Sequence, residues 1–338
     1  MKNILIIKLS AIGDVIHALP VSYAIKESFP DAKITWVVEP PAYDILKMNY
    51  CVDKIILFEK KKFKTLGGFM KNFLPFKKII QAEKFDAVLD LQGLFKSAAI
   101  AYFAKSKNKL GICNMREMSD KISKPVIGEN FNGHIIERYL DTARAIGCKV
   151  EKIIFPLEVP ADEIKKSDMI LKHAGVHENN FYAVLAVGAN WPNKRWTTEN
   201  FAKLGDWIYN KNILPVLVGN GEVDEQRAAE IESLMEIPPI NLINRTNLMQ
   251  LTQIIKNSKF AVGGDTGTVH LAAGLKIPTI MIMGPTDSNR NGAFQQISIE
   301  VERDCKGCWQ RACPKNFDCL ENISADTVIK KISEMLKV

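Results

Sequence analysis

Short apolar runs alternate with amphipathic segments along most of the chain. In the first half, four apolar runs predict buried strands, at residues 3–9, 33–38, 55–58 and 87–91. The first run is followed by apolar residues at helical spacing, which predict a helix from about residue 15 to 29. Alternating strands and helices indicate a parallel sheet covered on both faces, and ligands of such sheets bind beyond the carboxyl ends of the strands. Gly13 and Asp14 occupy that position after the first strand.

The second half repeats this alternation. It predicts strands at 182–187, 213–218, 260–262 and 279–283, and helices at 198–210, 222–234 and 248–257. The intervening segment 156–180 is rich in Pro, Lys, Asp and His and shows no strand pattern, so the domain boundary is placed there. We therefore predict an α/β protein with two doubly wound, Rossmann-like domains, residues 1–165 and 166–322, that face each other across a central cleft. A last helix, within 323–338, could lie back across the first domain.

A glycine turn precedes a short predicted helix in the segment AVGGDTGTVHLAAGLKIPTIMIMGP, residues 261–285. Asp265 is expected to cap the first amides of that helix, and Gly267 permits close approach to the backbone. The unpaired amides of Thr266, Gly267 and Thr268 would then face outward with the positive end of the helix dipole, which suits a phosphate. His270, one turn into the helix, is placed to reach the same anion. The alternative is an ordinary capped helix whose histidine is packed or solvated.

Composition defines the broad class of protein. The chain has 338 residues, beyond the size at which one hydrophobic core keeps growing, and it is 47% hydrophobic and 25% charged, as soluble globular proteins are. No apolar run reaches about 18 residues, so no membrane span is expected. The N-terminal apolar run lacks a cleavage site, and seven cysteines without an export signal indicate reduced thiols in the cytoplasm. The net charge of +7 favours an acidic partner without naming it.

Five motifs occur in order along nearly the whole chain. They are IIKLSAIGDVIHALP at 6–20, GANWPNKRW at 188–196, GNGE at 219–222, GGDTGTVHLAA at 263–273 and MGPTD at 283–287. Together they resemble glycosyltransferase family 9, the ADP-heptose:lipopolysaccharide heptosyltransferases, whose fold is the two-domain GT-B fold. WVVE at 36–39 and FDAVLDLQGLFKSA at 85–98 are most similar to heptosyltransferase I, which adds the first heptose to the Kdo of the inner core.

The resemblance implies an inverting transfer. An acceptor hydroxyl would attack the anomeric carbon of ADP-L-glycero-D-manno-heptose, and ADP would leave from the opposite face. Such a reaction needs a general base near the acceptor and compensation of the charge that develops on the leaving diphosphate. Asp14 matches the family's catalytic carboxylate. By position alone, Asp14 would instead be the N-cap of a helix that begins at Val15.

The donor side of the resemblance lies in the second half. Lys194, otherwise a solvated loop lysine, matches the family's phosphate-contacting lysine. Glu222, otherwise a glutamate favoured by the helix dipole, matches the acid that holds the donor's ribose hydroxyls. Asp265 and His270 match the donor-site pair, and the diphosphate would rest on the helix start at 266–268. No metal motif accompanies these residues, so the prediction is a transfer that requires no cofactor, with ADP-heptose as donor substrate.

Charge marks the acceptor side. Between residues 54 and 84 there are nine lysines and two acids, with large apolar residues interleaved. A lysine run is usually a solvated face, but lysines mixed with apolar residues suit the surface of an anionic membrane. Because the family's acceptor carries lipid A phosphates and Kdo carboxylates, we expect a cytoplasmic protein that is peripheral at the inner face of the cytoplasmic membrane. The residues expected on the acceptor side are Ser10, Gly13, Lys60, Lys61, Lys62, Lys64 and Arg116.

Four cysteines near the C-terminus depart from the typical heptosyltransferase I. They are Cys305, Cys308, Cys313 and Cys319, spaced C-x2-C-x4-C-x5-C. This set is compatible with a structural tetrahedral zinc site, although the spacing differs from a clean pair of C-x2-C knuckles. Reduced packing thiols or a disulfide are the alternatives.

Alternatives to the leading function stay open. One is a transferase that uses an ADP-sugar on another acceptor, such as a later core heptose or a protein. Another is a non-catalytic nucleotide-binding module. A dinucleotide-dependent oxidoreductase is disfavoured because the first strand leads into SAIGD and not into G-x-G-x-x-G. Nucleic acid is not expected as a partner, since no binding motif accompanies the basic surface.

Overall fold

A computed structural model gives the structure of residues 1–315 and 319–337, which fall into two compact units, Met1–Glu158 and Val159–Val338. Each unit is built on a parallel sheet, and its strands alternate along the chain with helices. The prediction of two doubly wound α/β domains is confirmed. Over the described part of the chain, none of the helices combines the length and the apolar character needed to span a bilayer.

The first unit is built on a six-stranded sheet. Its strands are β1 (Asn3–Ile7), β2 (Lys33–Val38), β3 (Lys54–Leu57), β4 (Ala87–Asp90), β5 (Lys109–Gly111) and β6 (Lys124–Pro125). Its α-helices are α1 (Ile12–Ser28), α2 (Tyr43–Lys47), α3 (Leu66–Ile80), α4 (Phe95–Phe103) and α5 (Ile135–Arg144). The strands pair in parallel in the order β3-β2-β1-β4-β5-β6.

The second unit is also built on a six-stranded sheet, counted over its described residues. Its strands are β7 (Phe181–Ala186), β8 (Ile213–Val218), β9 (Ile240–Asn241), β10 (Ala261–Gly264), β11 (Thr279–Met283) and β12 (Ile297–Glu300). Its α-helices are α6 (Ala161–His173), α7 (Thr198–Asn210), α8 (Glu222–Leu234), α9 (Leu248–Lys256), α10 (Gly267–Gly274), α11 (Ser288–Asn291) and α12 (Ala325–Leu336). The strands pair in parallel in the order β12-β11-β10-β7-β8-β9.

The two sheets have the same topology. Numbered from its own first strand, each sheet has the order 3-2-1-4-5-6 of doubly wound nucleotide-binding folds. The order reverses between β1 and β4 in the first unit and between β7 and β10 in the second. The loops that leave these strands at their carboxyl ends form the crevice in which such folds bind ligands. Asp14 lies on this edge in the first unit, and Lys194 and Asp265 lie on it in the second.

The central strands are buried, which explains why they are continuous apolar runs. Residues 4–7 of β1 are fully buried in the first unit. In the second unit, the rings of Trp196 and Phe201 meet edge to face with centroids 5.0 Å apart. The indole nitrogen of Trp196 donates a hydrogen bond to the carbonyl oxygen of Ile323 at 2.7 Å. This bond ties the chain before α7 to the C-terminal segment.

Several predicted elements have the predicted bounds, namely β2, β8, β11, α7 and α8. The predicted division at 165/166, in contrast, falls inside α6, which as a whole belongs to the second unit. The carboxylate of Glu163 on α6 accepts hydrogen bonds from Asn247 at 3.0 Å and Gln250 at 2.9 Å, at the start of α9. These long-range bonds attach α6 to the second unit from its first turn onward.

The last helix, α12, packs within the second unit. Its residues Ala325, Val328 and Ile332 are buried in the core of that unit. The amide of Ala325 donates a hydrogen bond to Oδ1 of Asn200 on α7 at 3.0 Å. The apolar face of α12 is therefore covered by α7 and β11 of its own unit.

Candidate active site

Asp265 is the centre of a buried polar cluster in the second unit. Its Oδ2 atom lies 2.5 Å from Nζ of Lys194 and accepts a hydrogen bond from the hydroxyl of Thr286 at 2.6 Å. Its Oδ1 atom lies 2.8 Å from Nε2 of His270. Asp265 is 8% exposed and His270 is 5% exposed. Side chains from three other parts of the chain therefore occupy both carboxylate oxygens.

The pKa of Asp265 is held far below its usual range. Burial by itself raises the pKa of this carboxyl group, but the hydrogen bond and charge of His270 and the charge and hydrogen bond of Lys194 outweigh the burial. Asp265 is therefore ionised at neutral pH, and it holds the ammonium group of Lys194 in one position.

Parallel strands bring these residues together because the carboxyl ends of such strands share one edge of the sheet. Lys194 ends a 3-10 helix (Pro192–Lys194) after β7, Asp265 follows β10, and Thr286 follows β11. β7, β10 and β11 are neighbours in the sheet. Gly264 permits the close approach of two of the loops, since a Cβ atom at this position would lie 2.0 Å from the carbonyl oxygen of Lys194.

Arg227 of α8 holds both ends of the loop that carries Lys194. Its Nε atom donates a hydrogen bond to the carbonyl oxygen of Val187 at 2.9 Å, and its Nη2 atom donates one to the carbonyl oxygen of Trp196. The guanidinium group thus joins the end of β7 to the start of α7 and fixes the span of this loop.

Thr266, and not Asp265, is the N-cap of α10. The expectation that Asp265 caps this helix is wrong, because its oxygens are occupied by side chains. The hydroxyl oxygen of Thr266 is buried and has no hydrogen-bond partner among the described residues. The amides of the first turn, from Gly267 onward, have no acceptor within the helix. Together the hydroxyl and the amides form a group of donors that suits an anion.

Glu222 lies on the same edge of the second sheet. It is the exposed first residue of α8 and follows β8, the neighbour of β7. Gly221 precedes it as the N-cap with a φ of 97°, a conformation that favours glycine. Within the described ranges, no hydrogen bond or ion pair joins Glu222 to Asp265, so the structure places the two residues on one edge without direct contact.

Thr286 and two further residues near Lys194 were not anticipated from the sequence. The Nζ atom of Lys194 lies 4.4 Å from the centre of the Trp191 ring, and the guanidinium carbon of Arg311 lies 5.5 Å from the same centre. Trp191 belongs to the motif GANWPNKRW and Thr286 to MGPTD, so the signal was present. Which side chain each would meet is a long-range property that no motif specifies.

In the first unit, Asp14 lies in the first turn of α1. Ala11 is the N-cap, and Oδ2 of Asp14 accepts a hydrogen bond from the amide of Ala11 at 3.0 Å. The alternative in which Asp14 caps a helix starting at Val15 is wrong, because α1 begins at Ile12. Asp14 is half-buried just beyond the carboxyl end of β1.

Side chains from neighbouring loops hold the chain before α1. The Oε1 atom of Gln92 accepts hydrogen bonds from the amides of Leu9 at 3.0 Å and Ser10 at 3.2 Å. The ammonium group of Lys96 lies 3.3 Å from Oγ of Ser10 and 2.7 Å from Oε1 of Glu39. The predicted acceptor residue Ser10 is thus in contact with a lysine.

A buried lysine directly follows the first strand and was not singled out in the sequence. Lys8 is 3% exposed, and its ammonium group lies 5.0 Å from the centre of the Tyr139 ring. Burial opposes the charged form, but the charge of Asp14, the contact with Tyr139 and the charge of Asp90 together raise the pKa of Lys8 above its usual value. Lys8 therefore supplies a fixed positive charge near Asp14.

Arg116 and the predicted acceptor residues of the lysine run are exposed, whereas Gly13 is half-buried. Those in the lysine run are Lys60, Lys61, Lys62 and Lys64. Lys62 forms an ion pair with Glu59, and the amide of Arg116 donates a hydrogen bond to the carbonyl oxygen of Gly93 at 2.9 Å. Over the residues that the structure describes, no hydrogen bond or ion pair links the lysine run or Arg116 to Asp14.

The four C-terminal cysteines line one small cavity of about 50 Å³. None of the seven cysteines, all of which are described, forms a disulfide. With the side chains as they stand, no group of three or more His, Cys, Asp or Glu residues within 1–315 and 319–337 is arranged to hold a metal ion.

The chain has the fold of known two-domain glycosyltransferases. It is similar to the glycosyl transferase family 9 from Veillonella parvula, with a TM-score of 0.87 and 19% identity over 99% of this chain and 97% of that one. It is similar to E. coli ADP-heptose lps heptosyltransferase II, with a TM-score of 0.79 and 20% identity over 100% and 99% of the two chains. E. coli heptosyltransferase WaaC with ADP gives a TM-score of 0.76 and 23% identity over 98% and 99%. The predicted GT-B fold class is confirmed.

The sequence comparison identifies the family within this class. The model of glycosyltransferase family 9 (heptosyltransferase) matches residues 73–317, and the chain belongs to this family, as its motifs predicted. Lipopolysaccharide core heptosyltransferase OpsX of Haemophilus influenzae is 26% identical over 303 residues, which cover 89% of this chain and 84% of the relative. Lipopolysaccharide heptosyltransferase 1 of E. coli is 25% identical over 339 residues, which cover 98% and 100%.

Proposed function

We propose that the chain transfers heptose from ADP-L-glycero-D-manno-heptose to the Kdo of the lipopolysaccharide inner core, with inversion at the anomeric carbon. The observation that carries this proposal is the Asp265 cluster, in which a buried carboxylate fixes Lys194 on the edge of the sheet where α10 begins. Family membership supports the transfer, and the relatives named above as lipopolysaccharide heptosyltransferases support the sugar and the acceptor.

The donor diphosphate is proposed to bind at the start of α10. The amides of Gly267 and Thr268 and the hydroxyl of Thr266 would donate hydrogen bonds to phosphate oxygens, and the ammonium group of Lys194 would donate one more. The exposed carboxylate of Glu222 would accept hydrogen bonds from the ribose hydroxyls. The solved E. coli WaaC structure contains ADP, which is consistent with a nucleoside diphosphate as the ligand here.

Asp14 is proposed as the general base. Its carboxylate would take the proton of the acceptor hydroxyl while that oxygen attacks the anomeric carbon, and the bond between this carbon and the diphosphate oxygen would break. ADP then leaves with the bonding electron pair. Lys194 and the dipole of α10 would stabilise the developing negative charge, and a metal ion is not required for that purpose.

We assign acceptor and membrane contact to the basic apolar surface, defined as residues 54–84. Three apolar side chains of α3 are largely exposed: Leu66 by 79%, Met70 by 70% and Leu74 by 59%. Exposed lysines flank them, including Lys61 and Lys64. A helix with this composition suits the boundary between anionic head groups and acyl chains. Burial of its apolar side chains and attraction of its lysines to the head groups both favour binding there. We therefore propose that the protein is peripheral at the inner face of the cytoplasmic membrane.

The proposal is tested by ADP release from ADP-heptose with Kdo-lipid A as acceptor, in the presence of EDTA. Asp14→Asn should lower the acceptor-dependent rate by roughly 100-fold or more, because the general base is lost. Its affinity for ADP, measured by calorimetry, should stay that of the wild type. Asp31→Asn, which alters an exposed carboxylate of the same unit, is the matched control and should keep the rate.

The other outcomes separate the alternatives. ADP release only with an acceptor that already carries a heptose would assign the protein to a later step of core assembly. ADP binding without release on either acceptor would contradict the lipopolysaccharide substrate and leave a nucleotide-binding module. A rate abolished by EDTA and restored by Mg²⁺ would contradict a metal-independent transfer.

A further inference from the structure

Residues 301–315 form a segment that buries little apolar surface. They contain no helix or strand, and Val301 is their one buried residue. Gly307 has a φ of 67°, a left-handed conformation that turns the chain between Cys305 and Cys308. Both of these cysteines line the same cavity as Cys313 and Cys319. Apolar burial therefore contributes little to the order of this segment, which depends on hydrogen bonds and on any cross-link between its cysteines.

We propose that Cys305, Cys308, Cys313 and Cys319 bind one structural metal ion, of the zinc or iron class, through four thiolates. Four thiolates in tetrahedral arrangement are the ligand set that these metals prefer. The side chains would have to turn toward a common point in the cavity that they already line. The cavity wall holds no carboxylate or imidazole that would compete as a ligand, in the part that the structure describes.

The charges at the cavity fit such a complex. A divalent ion with four thiolates carries a net charge of −2, and two lysines, Lys306 and Lys315, line the same cavity. The ammonium group of Lys306 already pairs with Glu300 at 2.9 Å, so Lys315 is the lysine that would offset part of that charge. Four uncharged packing thiols would not need a positive charge nearby.

The cysteine segment supports both loops that meet at Asp265. The amides of Gly307 and Trp309 donate hydrogen bonds to the carbonyl oxygens of Gly284 at 2.9 Å and Pro285 at 2.7 Å, immediately before Thr286. On the other side, the carbonyl oxygen of Gln310 accepts a hydrogen bond at 2.7 Å from the side chain of Asn193, the neighbour of Lys194. A metal ion would therefore hold the two loops that deliver Thr286 and Lys194 to the carboxylate.

Metal content tests the proposal without any assay of transfer. Protein purified with a reductant from cells grown with added zinc and iron should contain about one equivalent of metal per chain, as structural sites do. Visible thiolate-to-metal absorption distinguishes iron from zinc. Adding Co²⁺ to the metal-free protein should produce the absorption of a tetrahedral thiolate site.

Two variants locate the site. Cys305→Ser combined with Cys308→Ser should reduce bound metal to below about 0.1 equivalent. Cys113→Ser, a half-buried cysteine of the first unit, is the matched control and should bind metal as the wild type does. If the double variant does not fold, the single change at the exposed Cys308 and the Co²⁺ titration of the wild type decide the question.

Two results would overturn the proposal. One is wild-type protein that binds neither metal nor Co²⁺ while all four thiols react with a thiol reagent. The other is recovery of peptides joined by disulfides between these cysteines from protein isolated with its thiols blocked. Loss of metal should also weaken ADP binding, because the loops that carry Lys194 and Thr286 would lose a common support. This last effect rests on the proposed donor site, whereas the metal content does not.

Discussion

Lys194 and Asp265 form a buried ion pair at the point where the strand order of the second sheet reverses. The Nζ atom of Lys194 lies 2.5 Å from Oδ2 of Asp265, and the two side chains are 13% and 5% exposed. Lys194 follows β7 and Asp265 follows β10, the two strands on either side of the reversal. The pair therefore fixes the ammonium group of Lys194 at the position where a doubly wound sheet binds its ligand.

Removing the charge of Asp265 should destabilise the second unit. Asp265→Asn keeps the shape of the side chain but leaves the ammonium group of Lys194 buried without a counter-charge, which costs about 3 kcal/mol. Urea unfolding followed by tryptophan fluorescence is a suitable measurement, because four of the five tryptophans lie in the second unit. ADP binding should weaken in the same variant, since Lys194 loses its fixed position.

Asp326→Asn is the matched control for this prediction. Asp326 pairs with Lys203 at 2.8 Å, but the two side chains are 72% and 58% exposed. The change should alter the free energy of unfolding by less than about 0.5 kcal/mol. Equal effects of the two substitutions would contradict the role given to burial in the Asp265 pair.

The stabilisation from Asp265 should depend on pH in one direction only. Because its pKa is lowered in the folded state, its contribution is complete above the unfolded-state pKa of about 3.9 and is lost as the pH falls toward the folded-state value. The difference in unfolding free energy between wild type and Asp265→Asn should stay constant from pH 7 to pH 5 and shrink below about pH 4. A difference that shrinks with rising pH would contradict this assignment.

Gly264→Ala should displace the loop that carries Lys194. The added Cβ would lie 2.0 Å from the carbonyl oxygen of Lys194, a backbone atom, so the loop must move. We expect ADP affinity to fall by at least about tenfold, as a lost charge-assisted contact of about 1.4 kcal/mol implies. Gly67→Ala on α3 is the control, because its Cβ would meet nothing within 4 Å. This change should be neutral or stabilise by up to about 1 kcal/mol, and calorimetry with ADP should not distinguish it from the wild type.

Thr286 should act through its hydroxyl. Thr286→Val removes the hydrogen bond to Oδ2 of Asp265 in a site that is 1% exposed. The expected loss is about 1.5–3 kcal/mol of unfolding free energy, the range for a hydrogen bond to a charged group. Thr286→Ser keeps the donor and should retain most of the stability. If the valine and serine variants unfold at the same urea concentration, the hydroxyl has no part in holding Asp265.

The basic apolar surface should bind anionic membranes. We expect wild-type protein to sediment with vesicles of phosphatidylcholine and phosphatidylglycerol and to be released by salt, since each lysine near the surface contributes about 1 kcal/mol. Changing Leu66, Met70 and Leu74 together to Ser should weaken binding by at least about tenfold. Met169→Ser, at a residue of the second unit that is 58% exposed, should bind as the wild type does. Equal binding of the triple variant would contradict the assignment.

Local patterns were sufficient for most of the secondary structure. β8, β11 and α7 have their predicted bounds because a buried parallel strand is a continuous apolar run and an amphipathic helix repeats its apolar residues every three or four positions. The predicted starts of two helices differ from the observed ones. α1 begins at Ile12 and α10 at Gly267, since the residues that cap a helix depend on what their side chains meet elsewhere.

The position of α12 was not predictable from its own residues. The spacing of Ala325, Val328 and Ile332 predicts one apolar face, but any apolar surface of the protein could cover it. The hydrogen bond from Ala325 to Asn200 and the burial against α7 select the second unit. Similarly, the bonds of Glu163 to the start of α9 determine to which unit α6 belongs.

The sequence alone determined the fold class and the family and predicted a group of donor-side residues, because apolar periodicity and ordered motifs are properties of neighbouring positions. The tertiary structure decided which side chains meet. It brings Lys194, His270 and Thr286 to the two oxygens of Asp265, although Lys194 is 71 positions away along the chain. Contacts of this kind arise because parallel strands place their carboxyl ends on one edge, and that edge exists only once the sheet has formed.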